Sequence, residues 1–230
     1  MKYLPSIAFE EMSGSAKGVT AAKTRGRKYI RNRGYGGSVR TSSQAAVKSV
    51  FKALSQSWRS LTNEQILAWT AMAASQKGRS VLGTASKISG SNLYSRLNFW
   101  IVRCGGEALA NPPELTGVEA PAEAAVELTD GTFSFQLPSV PADVTGLKLV
   151  IMASAPQSNG ISNAYAKAVQ IGGVREVVNT SIDILSDYAA LFGEPGEAAP
   201  KVFMKYFFVN SATGEKSGEM LHMAVYTPAP

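Results

Sequence analysis

The feature that most constrains the fold is a change in hydrophobic period at residues 111–113, an Asn-Pro-Pro break. Before the break, apolar residues recur every three or four positions, as on one buried helix face. After it they alternate, as in the TFSFQL run at 132–137, which is typical of half-buried strands. The sequence therefore predicts an α+β chain in which helices precede an antiparallel β-structure.

Three helices are predicted between residues 41 and 110, which we treat as a helical unit. Two of them begin with a threonine three positions before a glutamine, the spacing of a capping box. Residues 77–90, rich in Gly and Ser, are predicted to be a loop. The predicted helices begin at Thr41, Thr62 and Ser91 and end near Trp58, Gln76 and Gly105.

Residues 111–230 are predicted to form an antiparallel β-sandwich of the immunoglobulin-like or fibronectin-like type. The length of this part, about 110 to 120 residues, and turn signals such as Asp130-Gly131 fit that size class. One segment, 184–192, departs from the alternation and is predicted to be a short helical turn inserted between strands. The predicted strands lie at 132–137, 147–153, 164–171, 201–209 and 221–226.

Residues 1–40 have the composition of an extended basic arm, with few large apolar side chains and many Gly, Ser, Lys and Arg. So little apolar surface cannot offset the entropy of ordering the segment. The arm is therefore predicted to be a solvated tail or to become ordered on a partner. Its cationic centre contains no acid and consists of Lys23, Arg25, Arg27, Lys28, Arg31 and Arg33.

The net charge of +6 conceals two halves of opposite sign. Residues 1–109 carry 17 Lys and Arg against 4 Asp and Glu, a net charge of +13, whereas residues 110–230 carry 6 against 13, a net charge of −7. This asymmetry indicates two modules with different partners, or a homo-oligomer in which one module docks on the acidic half of a neighbouring copy.

Catalytic and metal chemistry find little support in the residue types. The single His222 lies in an alternating strand pattern, and the single Cys104 ends an apolar helix face. Neither a Ser/His/Asp constellation nor a closed Cys/His zinc site can be built from them. Asp183 and Asp187 have helical spacing but lie near a helix start, where capping is their expected role. We therefore expect no enzyme and no cofactor.

The sequence also indicates the cellular compartment in which the chain folds. No window approaches the roughly 18 to 20 apolar residues that span a bilayer, so no membrane partner is expected. The first residues, MKYLPSIAFEE, contain acids where a signal peptide would have its apolar stretch. One cysteine excludes an internal disulfide, and the chain is expected to fold in a reducing cytosol.

Two classes of partner fit the basic arm. Tyr29 and Tyr35, interleaved with the cations, allow stacking on bases while Lys and Arg neutralise phosphates. The same arginines can instead pair with carboxylates of an acidic protein. Trp58, Trp69 and Trp100 are predicted to form the core of the helical unit and to be buried partly against another chain, because three short helices cannot easily cover three indoles.

The segment around the second predicted cap resembles a pattern found in small virion-associated proteins of tailed phages and prophages of gut bacteria, including the crAss-like group. The pattern has a Gly- and Arg-rich start, a Gln-containing helix start and a Trp-Arg-x-Leu-Thr-x-x-Gln-x-x-Ala-Trp helical segment. The YAALFG and VNSATG runs at 188–193 and 209–214 also resemble the immunoglobulin-like domains that such proteins carry. The helical motif matches Gln44, Trp58, Arg59, Leu61, Thr62, Gln65, Ala68 and Trp69.

The resemblance implies a structural component of a phage particle, most simply an auxiliary or decoration protein of the capsid. Its basic arm and helices would dock on the major capsid protein or other virion proteins while the β-sandwich projects. It would be located in the virion, and in the host cytoplasm during assembly. The alternatives are a nucleic-acid-binding protein that uses the arm, and a head-fibre or connector subunit. The residues predicted to bind partners are the six arm cations and the three tryptophans.

Overall fold

The structure, a computed structural model, describes residues 12–16, 18–24, 27–32, 41–78 and 86–228. Within these residues it is a mixed α+β fold in which all strands of the sheets pair antiparallel, as the sequence predicts. Its helices are α1 Ser42–Ser60, α2 Asn63–Ser75, α3 Gly90–Arg103 and α4 Leu185–Phe192, with a 3-10 turn at Tyr165–Lys167.

The first five strands are β1 Gly14–Ala16, β2 Val19–Thr24, β3 Arg27–Asn32, β4 Lys77–Gly78 and β5 Ser86–Lys87. The others are β6 Ala125–Thr129, β7 Thr132–Gln136, β8 Leu147–Ala153, β9 Val169–Gln170, β10 Arg175–Glu176, β11 Ile182–Asp183, β12 Lys201–Asn210 and β13 Met220–Val225. They form four sheets with the strand orders β1-β2-β3, β4-β5, β11-β7-β6 and β10-β8-β12-β13, and β9 also pairs with β8.

The described part of the N-terminal segment forms a three-stranded meander rather than an arm without secondary structure. Gly18, with φ of +87°, lies at the tight connection between β1 and β2. The prediction weighed only side-chain burial against chain entropy. Strand pairing adds backbone hydrogen bonds that composition does not show. Arg25 and Arg33 lie outside the described residues.

The caps of the helical unit follow the sequence closely. Thr62 and Gln65 form the predicted capping box, and Thr41 accepts a hydrogen bond from the Gln44 backbone. The third cap is Ser89 rather than Ser91, so α3 begins at Gly90. A Cβ on Gly90 would stand 2.7 Å from the Thr70 hydroxyl oxygen, so a larger side chain would push α2 and α3 apart. The hydrophobic core cluster of this unit consists of Leu54, Trp69, Ala73, Leu93, Tyr94 and Leu97.

The C-terminal part contains two antiparallel sheets whose inward side chains share one core. The central strand β12 is buried along nearly its whole length, because it pairs with β8 and β13 and both its faces are covered. Phe133 and Phe135 from the smaller sheet meet Tyr188 and Tyr206 edge to face, with ring centroids 5.1 and 5.0 Å apart. The predicted short helix is confirmed as α4, whereas residues 164–171 hold a 3-10 turn and only a two-residue strand.

The helical unit packs on the outer face of the larger sheet. Trp100 of α3 and Cys104, the residue that follows this helix, cover Val150, Phe207 and Val209, which point away from the core between the sheets. The Trp100 and Phe207 rings meet at 5.4 Å in an edge-to-face arrangement. The two charge-opposed halves of the sequence are therefore in direct contact.

Candidate interaction surfaces

The basic meander carries cations on both of its faces. Lys23 lies directly opposite Lys28 in the β2-β3 register, so these two share one face. Arg31, which is exposed and lies opposite Thr20, occupies the other face together with Tyr29. Arg27 lies at the start of β3. The four predicted cations that the structure describes thus lie on one small sheet but are divided between its two faces.

The three tryptophans separate into distinct roles. Trp69 is 0% exposed, and its indole Nε1 donates to the Ala110 carbonyl oxygen at 2.9 Å. The prediction that Trp69 binds a partner is therefore wrong, because Trp69 lies wholly inside its own chain. Trp58 is half-buried against Tyr94, with ring centroids 5.3 Å apart. Trp100 is half-buried and contributes to a surface groove.

That groove lies between α1 and α3 and has a volume of about 390 Å³. Phe51 of α1 is 46% exposed, although its ring stacks on Phe99 at 5.0 Å with an interplanar angle of 16°. Phe99 in turn meets Trp100 edge to face at 5.2 Å. The groove, named here the α1–α3 groove, is lined by Phe51, Asn92, Ser95, Arg96, Phe99 and Trp100.

The surroundings of the α1–α3 groove are cationic. Lys48 is exposed on α1 one turn before Phe51, Lys52 is exposed farther round the same helix, and Arg96 is exposed on α3. Neither helix contains an Asp or Glu. Phe51 belongs to an apolar row at helical spacing, the pattern of a core residue, so this pattern does not reveal the groove. The signal that could have found it is the acid-free pair of predicted helices.

A second hollow, of about 320 Å³, lies on the acidic C-terminal half. The carboxylates of Glu119 and Asp143 are part of its lining, together with the apolar side chains of Val118 and Leu147. Hydrogen bonding by Thr145 holds the pKa of Asp143 below its usual range. This hollow favours a cationic group over an anionic one.

Cys104 and His222, the single cysteine and the single histidine of the sequence, are both partly buried. Burial raises the pKa of the Cys104 thiol, so it stays protonated at neutral pH, and Trp100 and Cys104 pack on the same sheet face. Burial lowers the pKa of His222, and the Glu123 carboxylate partly offsets this. Asp183 accepts a hydrogen bond from the Leu185 backbone at 2.9 Å, although Ile184 and not Asp183 occupies the cap position of this helix.

Within the described ranges, no group of three or more His, Cys, Asp or Glu is placed to hold a metal ion. No helix in those same ranges is long and apolar enough to cross a membrane. The features that offer chemistry to a partner are therefore the basic meander, the α1–α3 groove and the acidic hollow. No family model, no curated protein and no solved structure matches the chain.

Proposed function

We propose that this chain is a structural component of a phage particle, an auxiliary or decoration protein of the capsid that works by binding other proteins. In this proposal the two C-terminal sheets are an immunoglobulin-like sandwich that projects from the shell. The protein is located in the virion, and in the host cytoplasm during assembly. The basic N-terminal segment is the part that docks.

The observation that carries the proposal is the presence of cations on both faces of the meander. Lys23 and Lys28 are on one face and Arg31 is on the other, in a sheet that pairs with no other sheet of the described chain. A ribbon charged on both faces suits a cleft between two acidic surfaces better than one flat surface. Clefts between neighbouring capsid subunits are sites of this kind.

The protein partner is favoured over nucleic acid by the charge of the rest of the molecule. The half of the chain that packs against the helical unit carries a net charge of −7. A duplex near it would be repelled, whereas a protein surface can be complementary to both halves. Many copies on one shell also gain avidity, so that each contact can be weak.

The test replaces Lys23, Arg25, Arg27, Lys28, Arg31 and Arg33 with Ser and measures co-sedimentation with DNA-free shells of the cognate major capsid protein. Loss of shell binding is expected. A matched variant changes only the four arginines of this set to Lys, which retains every charge. It should keep most of the binding if charge dominates, and lose it if bidentate Arg–carboxylate pairs dominate.

A DNA duplex of random sequence serves as the competing partner in the same assay. If the Ser variant still binds shells but no longer binds the duplex, the arm is a nucleic-acid contact and the proposal fails. The salt dependence provides a second readout. Release of counterions from six phosphates would make the logarithm of affinity fall with a slope of about −5 against the logarithm of salt, and docking on protein should be less steep.

A further inference from the structure

The lining of the α1–α3 groove comes mainly from one side of α3. Five of its lining residues come from α3 at positions 92, 95, 96, 99 and 100, the spacing of one complete helical stripe. The stripe covers about 12 Å of helix. The opposite face of α3, with Leu93 and Leu97, is buried in the core of the helical unit. A stripe of this kind, bordered by a second helix, is what helices use to pack a third.

The occupant of this groove must bring negative charge. Lys48 is exposed one turn before Phe51 on α1, and Arg96 lies within the lining. With no acid on α1 or α3, an apolar helix without carboxylates would leave these cations uncompensated at the contact.

Helix α4 of this chain has the complementary features. It has eight residues, about 12 Å, which equals the length of the stripe. Leu191 is 47% exposed and lies three positions after the fully buried Tyr188, at the edge of the face that Tyr188 anchors. Exposed carboxylates stand at both ends, Asp183 before the helix and Glu194 after it.

Within one chain α4 cannot reach the groove. Tyr188 anchors α4 in the core between the two sheets, with its hydroxyl donating to the Ser154 carbonyl oxygen at 3.0 Å. Trp100 and Cys104 anchor α3 on the outer face of the larger sheet. The two elements therefore lie on opposite sides of that sheet.

We infer that the α1–α3 groove of one copy receives α4 of a second copy. Leu191 fills the apolar centre beside Phe51 and Phe99, while Asp183 and Glu194 face the cations at the rim. Such a contact joins two different surfaces, so it is heterologous and propagates into chains or closes into rings. It is independent of the capsid proposal, because it uses neither the meander nor the shell.

The test is sedimentation velocity of the full chain over a range of concentrations at low ionic strength. The wild type should sediment faster as its concentration rises, and should do so less at high salt. Phe51→Asp and Leu191→Asp should each weaken self-association by about tenfold or more, the size expected for loss of a central apolar anchor. Leu67→Asp is the matched control, because Leu67 is 68% exposed on α2 and lines no part of the groove.

A mixture of two variants distinguishes this contact from other modes of self-association. Phe51→Asp keeps an intact α4 and Leu191→Asp keeps an intact groove. An equimolar mixture of these two variants should therefore form a dimer that grows no further. All variants alter exposed side chains, and unchanged far-ultraviolet circular dichroism verifies their fold. A wild type that remains monomeric at every concentration, a mixture that stays monomeric, or equal weakening by Leu67→Asp would overturn the inference. The inference would also be overturned if Phe51→Asp lost binding to oligo-dT while its self-association stayed intact, because that result would assign the groove to single-stranded nucleic acid.

Discussion

Gly214 lies directly against the backbone of Leu97: a Cβ built on Gly214 would stand 2.1 Å from the Leu97 carbonyl oxygen. This contact joins the turn between β12 and β13 to the middle of α3. Gly214 also has a φ of +71°, a left-handed conformation that other residues seldom adopt. The helical unit and the larger sheet thus approach at a position where only glycine fits.

Gly214→Ala is predicted to destabilise the whole chain. Gly131→Ala is its matched control, because Gly131 has the same φ of +71° with nothing within 4 Å of its added Cβ. Both variants place an alanine in the left-handed conformation, which costs about 1–2 kcal/mol of folding free energy. Only Gly214→Ala adds a steric displacement of α3, worth about 1–3 kcal/mol more. Urea unfolding measures both free energies, and equal values would show that the close approach to Leu97 does not exist.

A buried amide should hold the end of the helical unit in place. Asn98 is 0% exposed; its Nδ2 donates to the Tyr94 carbonyl oxygen and its Oδ1 accepts from the Leu109 backbone at 2.6 Å. Asn98→Ala leaves that backbone N–H without an acceptor, a loss of about 1–3 kcal/mol. Asn92→Ala, on an exposed position of the same helix, should change the unfolding free energy far less. Similar losses for the two variants would count against the bridge.

Much of this fold could be predicted because its signals are local. The capping box at Thr62 and Gln65 depends on atoms three residues apart, and α4 stood out from the alternation around it. The start of α3 was missed by two residues, because Ser89 and Ser91 are equally good caps by type. What selects Ser89 is the packing of Gly90 on Thr70, a contact between two helices that sequence spacing does not show.

The candidate surfaces were less predictable for a similar reason. An apolar row at helical spacing indicates a core, and Leu54 and Trp58 do face one. Phe51 belongs to the same row but is left 46% exposed, because it stacks on Phe99 at the edge of the helical pair. Trp69 was predicted to be buried partly against another chain because three short helices cannot easily cover three indoles, whereas it is fully buried within its own chain and its indole donates to the Ala110 carbonyl oxygen, forty-one positions away. The exposed fraction of these side chains is therefore set by tertiary contacts, which the local sequence pattern does not show.

The single histidine should make stability fall in mild acid. Burial lowers the pKa of His222 in the folded chain below its ordinary value of 6.5. The unfolded chain therefore binds the proton first, and the free energy of unfolding decreases as pH falls below that value. His222→Gln should remove this component from unfolding free energies measured between about pH 7.5 and about pH 5.5. Glu123→Gln should instead deepen it, since the Glu123 carboxylate favours the protonated ring. An unchanged pH profile in His222→Gln would refute the assignment.

The junction between the two halves should be energetically coupled through Trp100 and Phe207. Their rings meet edge to face at 5.4 Å, and Lys216 Nζ lies 3.8 Å from the centroid of the Phe207 ring. A double-mutant cycle with Trp100→Leu and Phe207→Leu is predicted to give a coupling of about 0.5–1.5 kcal/mol in unfolding free energy. Trp100→Leu paired with Phe133→Leu is the control, because Phe133 is equally buried but lies in the core between the sheets. Zero coupling in the first cycle would mean that the helical unit does not dock on the sheet through these rings. A coupled junction fixes the α1–α3 groove relative to α4, which is what a repeating contact between copies requires.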